Sequence, residues 1–165
     1  MKATDALRLT LFLLLTGYTG IYSRAQMPFV PANDPLITAM VAEVNTDSIH
    51  KTLRELQDWG SRFMLRDNHK TVATWLMNKF ISLGYPDVKI DSFYVILDGT
   101  FGYTDSTWQY NVVCNLQGST APEDIYVIGG HYDSFCSPDP YSLAPGVDDN
   151  GSSVAAILEM ARVMA

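Results

Sequence analysis

Apolar positions recur at helical spacing from residue 36 onward, with Leu36, Met40, Val41 and Val44 on one face. The break at Asn45-Thr46-Asp47-Ser48 offers capping side chains for a second helix carrying Ile49, Leu53 and Leu56 on one side, which Gly60 stops. Asn68 is placed to cap a third helix, in which Val72, Leu76, Phe80 and Leu83 follow at helical spacing with Trp75 beside them, and Gly84 ends it. Such faces predict packing surfaces.

The period changes to two at Val88. Val88 and Ile90 alternate, then Phe93, Val95 and Leu97 do so on the opposite parity, which predicts a bulge near Asp91-Ser92. A loop is expected over 99–107, followed by a strand in which Tyr110, Val112, Cys114 and Leu116 alternate against Asn111, Val113 and Asn115. The stretch 118–123 then turns the chain into Ile125-Tyr126-Val127-Ile128, apolar on both parities, which predicts a strand buried on both faces. Val154, Ile157, Leu158 and Ala161 return to helical spacing. Helices, three strands and a closing helix predict a layered α/β domain.

Composition narrows the class. The 165 residues are 47% apolar and 18% charged, which suits one domain with a core. The net charge of −7 and the lack of a Lys/Arg cluster interleaved with aromatics remove the footprint of a nucleic-acid binder. The first residues are different in kind. Lys2 and Arg8 precede the run from Leu9 to Leu15, too short to span a bilayer, and Ser23-Arg24-Ala25 supplies small residues for cleavage after Ala25. The reading is a signal peptide over 1–25, a Pro-punctuated lead-in over 26–45 and a domain over 46–165, in a secreted or periplasmic protein with no stable membrane insertion after cleavage. Removing residues 1–25 takes away Lys2, Arg8, Arg24 and Asp5 and leaves a net −9. Two cysteines, Cys114 and Cys136, are too few for a disulfide scaffold, and whether they pair is open.

Chemistry concentrates where the third predicted strand ends, in Gly129-Gly130-His131-Tyr132-Asp133-Ser134. Carboxyl ends of strands in open α/β sheets host ligands. A metal-ligating imidazole needs its other ring nitrogen held by an acceptor, and Asp133 is near enough to serve. Seventeen residues after His131 comes Asp148, in Pro145-Gly146-Val147-Asp148-Asp149-Asn150 just before the last helix. Asp149 and Asn150 suit the N-terminus of that helix as capping residues. Two carboxylates and a histidine at the mouth of one strand call for a cation or for protonation to relieve their repulsion, and a divalent ion does so.

The runs His131-Tyr132-Asp133-Ser134 and Ala144-Pro145-Gly146-Val147-Asp148-Asp149-Asn150-Gly151 resemble the M28 family of zinc peptidases, whose pattern is His-x-Asp followed by a Pro-Gly-x-Asp-Asp loop leading into a helix. Leu56 to Arg62 and Tyr110-Asn111-Val112-Val113 resemble its upstream segments. The resemblance implies a three-layer α/β/α sandwich with a mixed central sheet, zinc-exopeptidase-like and incomplete here. It implies His131 and Asp148 as zinc ligands, Asp148 shared between two ions in the complete protein, and Asp133 as the site residue that orients His131. It also implies a cis peptide at Asp148-Asp149. The expected activity is removal of N-terminal amino acids from a peptide substrate. The family's Glu-Glu pair, next acidic ligand and last His fall downstream of the matched segment, and Glu159, the acidic residue that follows Asp149, is expected to be solvated. This stretch alone is therefore expected to be inactive, with apolar strand edges lacking their later neighbours. Two other readings stand beside it: a glutaminyl-peptide cyclotransferase-like enzyme, and a non-catalytic ectodomain that keeps the fold for binding.

Overall fold

The computed structural model describes residues 34–165, apart from the side chain of Phe101. The expected signal peptide and most of the lead-in lie outside the described residues. Pro35 opens α1 (Pro35–Glu43), where its fixed φ and missing N–H cost nothing. Asn45 caps α2 (Thr46–Asp58) by accepting from the N–H groups of Asp47 (2.9 Å) and Ser48 (3.1 Å). α3 (His69–Ser82) buries Val72, Ala73, Leu76 and Phe80, and α4 (Ser152–Met164) buries Val154, Ala155, Leu158 and Ala161. Asn68 precedes α3 without capping it; its side-chain amide donates instead to the Ser61 carbonyl at 2.9 Å.

One core joins these helices. Leu56, Val72, Leu76, Phe80, Tyr85, Val154 and Leu158 are buried together, and Val88, Val112 and Cys114 pack against them from the sheet. Burying such side chains contributes roughly 1.5–3 kcal/mol each, so the cluster is the main source of stability. The Tyr85 hydroxyl meets the Ala161 carbonyl at 2.9 Å, so the phenol closes the core without an orphaned polar group.

The sheet is an antiparallel ribbon of β1 (Asp87–Asp98) and β2 (Thr104–Asn115), joined by a single helical turn at Thr100–Gly102. The expected bulge is absent, since pairing runs unbroken from Asp87 opposite Asn115 to Asp98 opposite Thr104. The parity switch has another cause. Val88 and Ile90 are half-buried near one end and Val95 and Leu97 are covered near the other. A two-stranded ribbon twists strongly, so each end turns a different face toward cover.

The expected third strand does not form. Ile125, Tyr126, Val127 and Ile128 belong to no strand among the described residues and are 85%, 76%, 88% and 61% exposed. A strand with two apolar faces needs neighbours on both edges and layers on both sides, and among the described residues it has neither. The architecture is thus α/β, as expected, with a two-stranded antiparallel sheet and four helices among the described residues.

Glu159 also departs from expectation. It is 4% exposed, not solvated, and accepts from the Asn45 N–H at 2.6 Å and from the Arg162 guanidinium at 2.8 and 3.0 Å. The bond from Arg162, opposed by burial and aided by the Asn45 N–H and the Ser48 hydroxyl, holds the carboxyl down at about 2. A buried carboxylate with this set of donors ties α4 to the start of α2.

Candidate functional site

Two loops face each other beside the helical core. The first, His131 to Ser134, follows the exposed apolar run. The second, 140–146, leads into a wide turn at Val147–Gly151 and then α4. Between them lies Gly60 to Phe63. Ser61 pairs with Ala144 in a parallel bridge, the Ala144 N–H donates to the Gly60 carbonyl at 3.1 Å, and the Ser134 N–H donates to the Arg62 carbonyl at 3.2 Å. The Ser134 hydroxyl accepts from the Arg62 N–H at 2.9 Å and donates to the Ala144 carbonyl.

Across this frame His131 is held between two carboxylates. Its Nδ1 lies 3.0 Å from Asp133 Oδ1 and its Nε2 lies 3.1 Å from Asp149 Oδ1. The pair expected from sequence, His131 and Asp133, is brought together. Asp148 is not brought to them: its side chain is exposed, and its carbonyl accepts from the Ser152 hydroxyl at 2.7 Å. The residue read from sequence as a helix cap, Asp149, faces the imidazole instead. Its backbone is extended (φ −106°, ψ 97°) and stands outside the helix, and α4 begins at Ser152 with Gly151 before it and no side-chain cap. The cis peptide of this turn likewise falls at Asp149-Asn150, one residue after the expected Asp148-Asp149; a second cis bond precedes Pro138. Cys114 and Cys136 are both free.

With Nδ1–H given to Asp133, a neutral ring turns the Nε2 lone pair toward the lone pairs of Asp149, an arrangement that a cation between them reconciles. Two donors about 2.0–2.1 Å from one tetrahedral zinc lie about 3.3 Å apart, close to what is seen here. Imidazole nitrogen and carboxylate oxygen suit zinc, so the residues fit that ion. They are a partial set: no three His, Cys, Asp or Glu side chains among the described residues converge on one point. The side chains are open to solvent, 54% for His131, 44% for Asp133 and 90% for Asp149, so an ion has free entry. Tyr132, by contrast, is turned inward, its hydroxyl donating to the Tyr110 carbonyl at 2.7 Å. Burial, with the charges of Asp133 and Tyr110, pushes its phenol up to about 12.

Sequence reasoning missed Arg62 as well as Asp149. The Arg62 side chain is fully buried, with its guanidinium bonded to backbone carbonyls of Leu56, Tyr132, Pro145 and Gly146. Burial lowers its pKa from the ordinary value and the charge of Asp133 pulls it back up. The local signals were an arginine beside the apolar Phe63 and its place at the end of the run from Leu56 to Arg62 that resembles the family's upstream segment.

Residues 111–165 match the family model described as peptidase family M28. The chain is 28% identical to a probable aminopeptidase of Saccharomyces cerevisiae, over 90% of this chain and 41% of the relative. It is 28% identical to a probable leucine aminopeptidase of Arthroderma otae, over 81% of this chain and 36% of the relative. It is 33% identical to a probable zinc metalloprotease of Pyrenophora teres f. teres, over 82% of this chain and 32% of the relative. The chain thus spans about a third to two fifths of the length of these curated relatives.

Proposed function

For a chain that belongs to peptidase family M28 through residues 111–165, we propose that His131 and Asp149 are protein ligands of a zinc centre in an exported enzyme that removes residues from the free N-terminus of peptides. The observation that carries the reading is the His131 ring held at Nδ1 by Asp133 and facing Asp149 with Nε2. The names of relatives, aminopeptidase and zinc metalloprotease, support both the metal and the substrate class. Asp149 takes the ligand position expected for Asp148, because it is the carboxylate that meets the ring.

Each residue has a separable task. Asp133 accepts a hydrogen bond from Nδ1–H, which fixes the tautomer and ring plane and leaves the Nε2 lone pair free to bind a metal ion. Asp149 supplies negative charge opposite that nitrogen and neutralises part of the charge of a cation held there. Tyr132 keeps its proton and anchors the loop between the two site residues on the sheet. Zinc bound here would supply Lewis acidity toward a scissile carbonyl and toward water. The remaining ligands and the general base belong to the rest of the protein in this reading.

The test is metal analysis of the full-length protein, with turnover of aminoacyl p-nitroanilides before and after chelation. Bound zinc, loss of turnover on chelation and recovery on adding zinc are expected. Asp149→Ala should lower zinc affinity and turnover by at least ~100-fold, whereas Asp148→Ala should cost less than ~10-fold. The opposite ranking would return the ligand role to Asp148. Cyclisation of N-terminal glutaminyl peptides in place of hydrolysis would favour the cyclotransferase, and neither metal nor turnover would leave a binding scaffold.

A further inference from the structure

We propose that Arg62 is a positioning residue of this centre: its buried guanidinium spans the two loops that carry His131 and Asp149 and sets the gap between them. The inference rests on reading that pair as metal ligands. Nε donates to the Tyr132 carbonyl at 2.7 Å, and Tyr132 lies directly between His131 and Asp133. Nη1 donates to the Pro145 carbonyl at 2.7 Å and Nη2 to the Gly146 carbonyl at 3.0 Å, at the entrance to the turn that holds Asp149. Nη1 also reaches the Leu56 carbonyl at 2.7 Å, which fixes the fork to the end of α2 and so to the core.

A buried cation that only filled space or balanced charge would be expected on a carboxylate. This guanidinium donates instead to main-chain carbonyls, three on the two loops and one at the end of α2. The loop is seated directly on it. A Cβ added at Gly146, which has φ +48°, would come within 2.5 Å of Ser134 Cβ, 2.6 Å of the Asp149 carbonyl and 3.1 Å of Arg62 Nη2. With so little slack, moving the fork moves the Tyr132 and Gly146 carbonyls together, and the 3.1 Å gap between His131 Nε2 and Asp149 Oδ1 moves with them. Lysine keeps the charge but offers a single flexible ammonium in place of the planar fork, so it cannot reach both loops and α2 at once.

Arg62→Lys in the full-length protein tests this. Zinc affinity by chelator competition should fall 10–100-fold, the visible spectrum of the cobalt-substituted protein should change, and kcat should fall more than KM rises. Leu76→Ala, which destabilises the core away from the frame, should leave zinc affinity within about twofold of wild type. A wild-type protein that takes up no zinc defeats the metal reading itself. Zinc uptake by wild type with unchanged affinity and cobalt spectrum in R62K defeats the positioning role alone. If R62K does not fold, hydrogen exchange at the Arg62 Nε–H of wild type decides: coupling is reciprocal, so exchange should slow on adding zinc, and an unchanged rate overturns the proposal.

Discussion

Arg62 and Val127 invert the usual sorting of side chains: the guanidinium is 0% exposed and the aliphatic residue is 88% exposed. The first lies in a short strip that two loops close over; the second lies in an apolar run leading into one of those loops. Burial is set by partners more than by side-chain polarity. Arg62 finds four carbonyls at bonding distance, whereas Ile125 to Ile128 find no strand or helix to cover them among the described residues. A buried donor array matched to acceptors is stable, and an apolar run without neighbours stays in water.

Three measurements on this chain would break or sharpen that contrast. The largest effect is expected from Arg62→Ala, which strands the carbonyls of Leu56, Tyr132 and Pro145 while Gly146 keeps the Gly151 N–H at 3.0 Å. Urea unfolding should show a loss of about 3–5 kcal/mol; a loss under ~1 kcal/mol would mean that the fork is incidental. The next effect concerns Glu159, the other charged group held inside. Its carboxyl is depressed to about 2 in the folded chain, so its contribution is fully present above the unfolded carboxylate range and is lost as pH falls through about 4.5 toward 2. That loss should be on the order of 3 kcal/mol, read as a fall in urea midpoint that Glu159→Gln flattens. The smallest effect belongs to the exposed run: Val127→Ala should change stability by no more than ~0.5 kcal/mol. A cost above ~1.5 kcal/mol would show the run to be covered after all.

Much of the helical part was legible in the sequence because its signals are local. Asn45 caps where an Asn before a helical pattern should, and Val72, Leu76 and Phe80 are buried at the spacing that predicts one face. Signals that depend on distant partners failed. The parity switch between Ile90 and Phe93 reads as a bulge, and ribbon twist produces the same pattern without one. Apolarity on both parities at Ile125 to Ile128 shows what the segment suits, while neighbours decide whether it is met. Around the site, the HYDS run sets His131 beside Asp133 at 3.0 Å, since two residues of separation leave little freedom. Which of Asp148 and Asp149 faces the imidazole turns on one backbone conformation that adjacent identical residues cannot reveal. Glu159 was misread because its donors come from Asn45, far back in the chain, as well as from Arg162.

The bond from Arg62 to the Pro145 carbonyl also joins residues 83 apart in sequence. Closing so long a loop costs chain entropy before any contact repays it, whereas α2 and α3 form from neighbours. The frame around His131 and Asp149 is therefore expected to assemble after the folding transition state. Substitutions there should mainly speed unfolding and leave the folding rate nearly unchanged, so the alignment of the site is gained last and lost first.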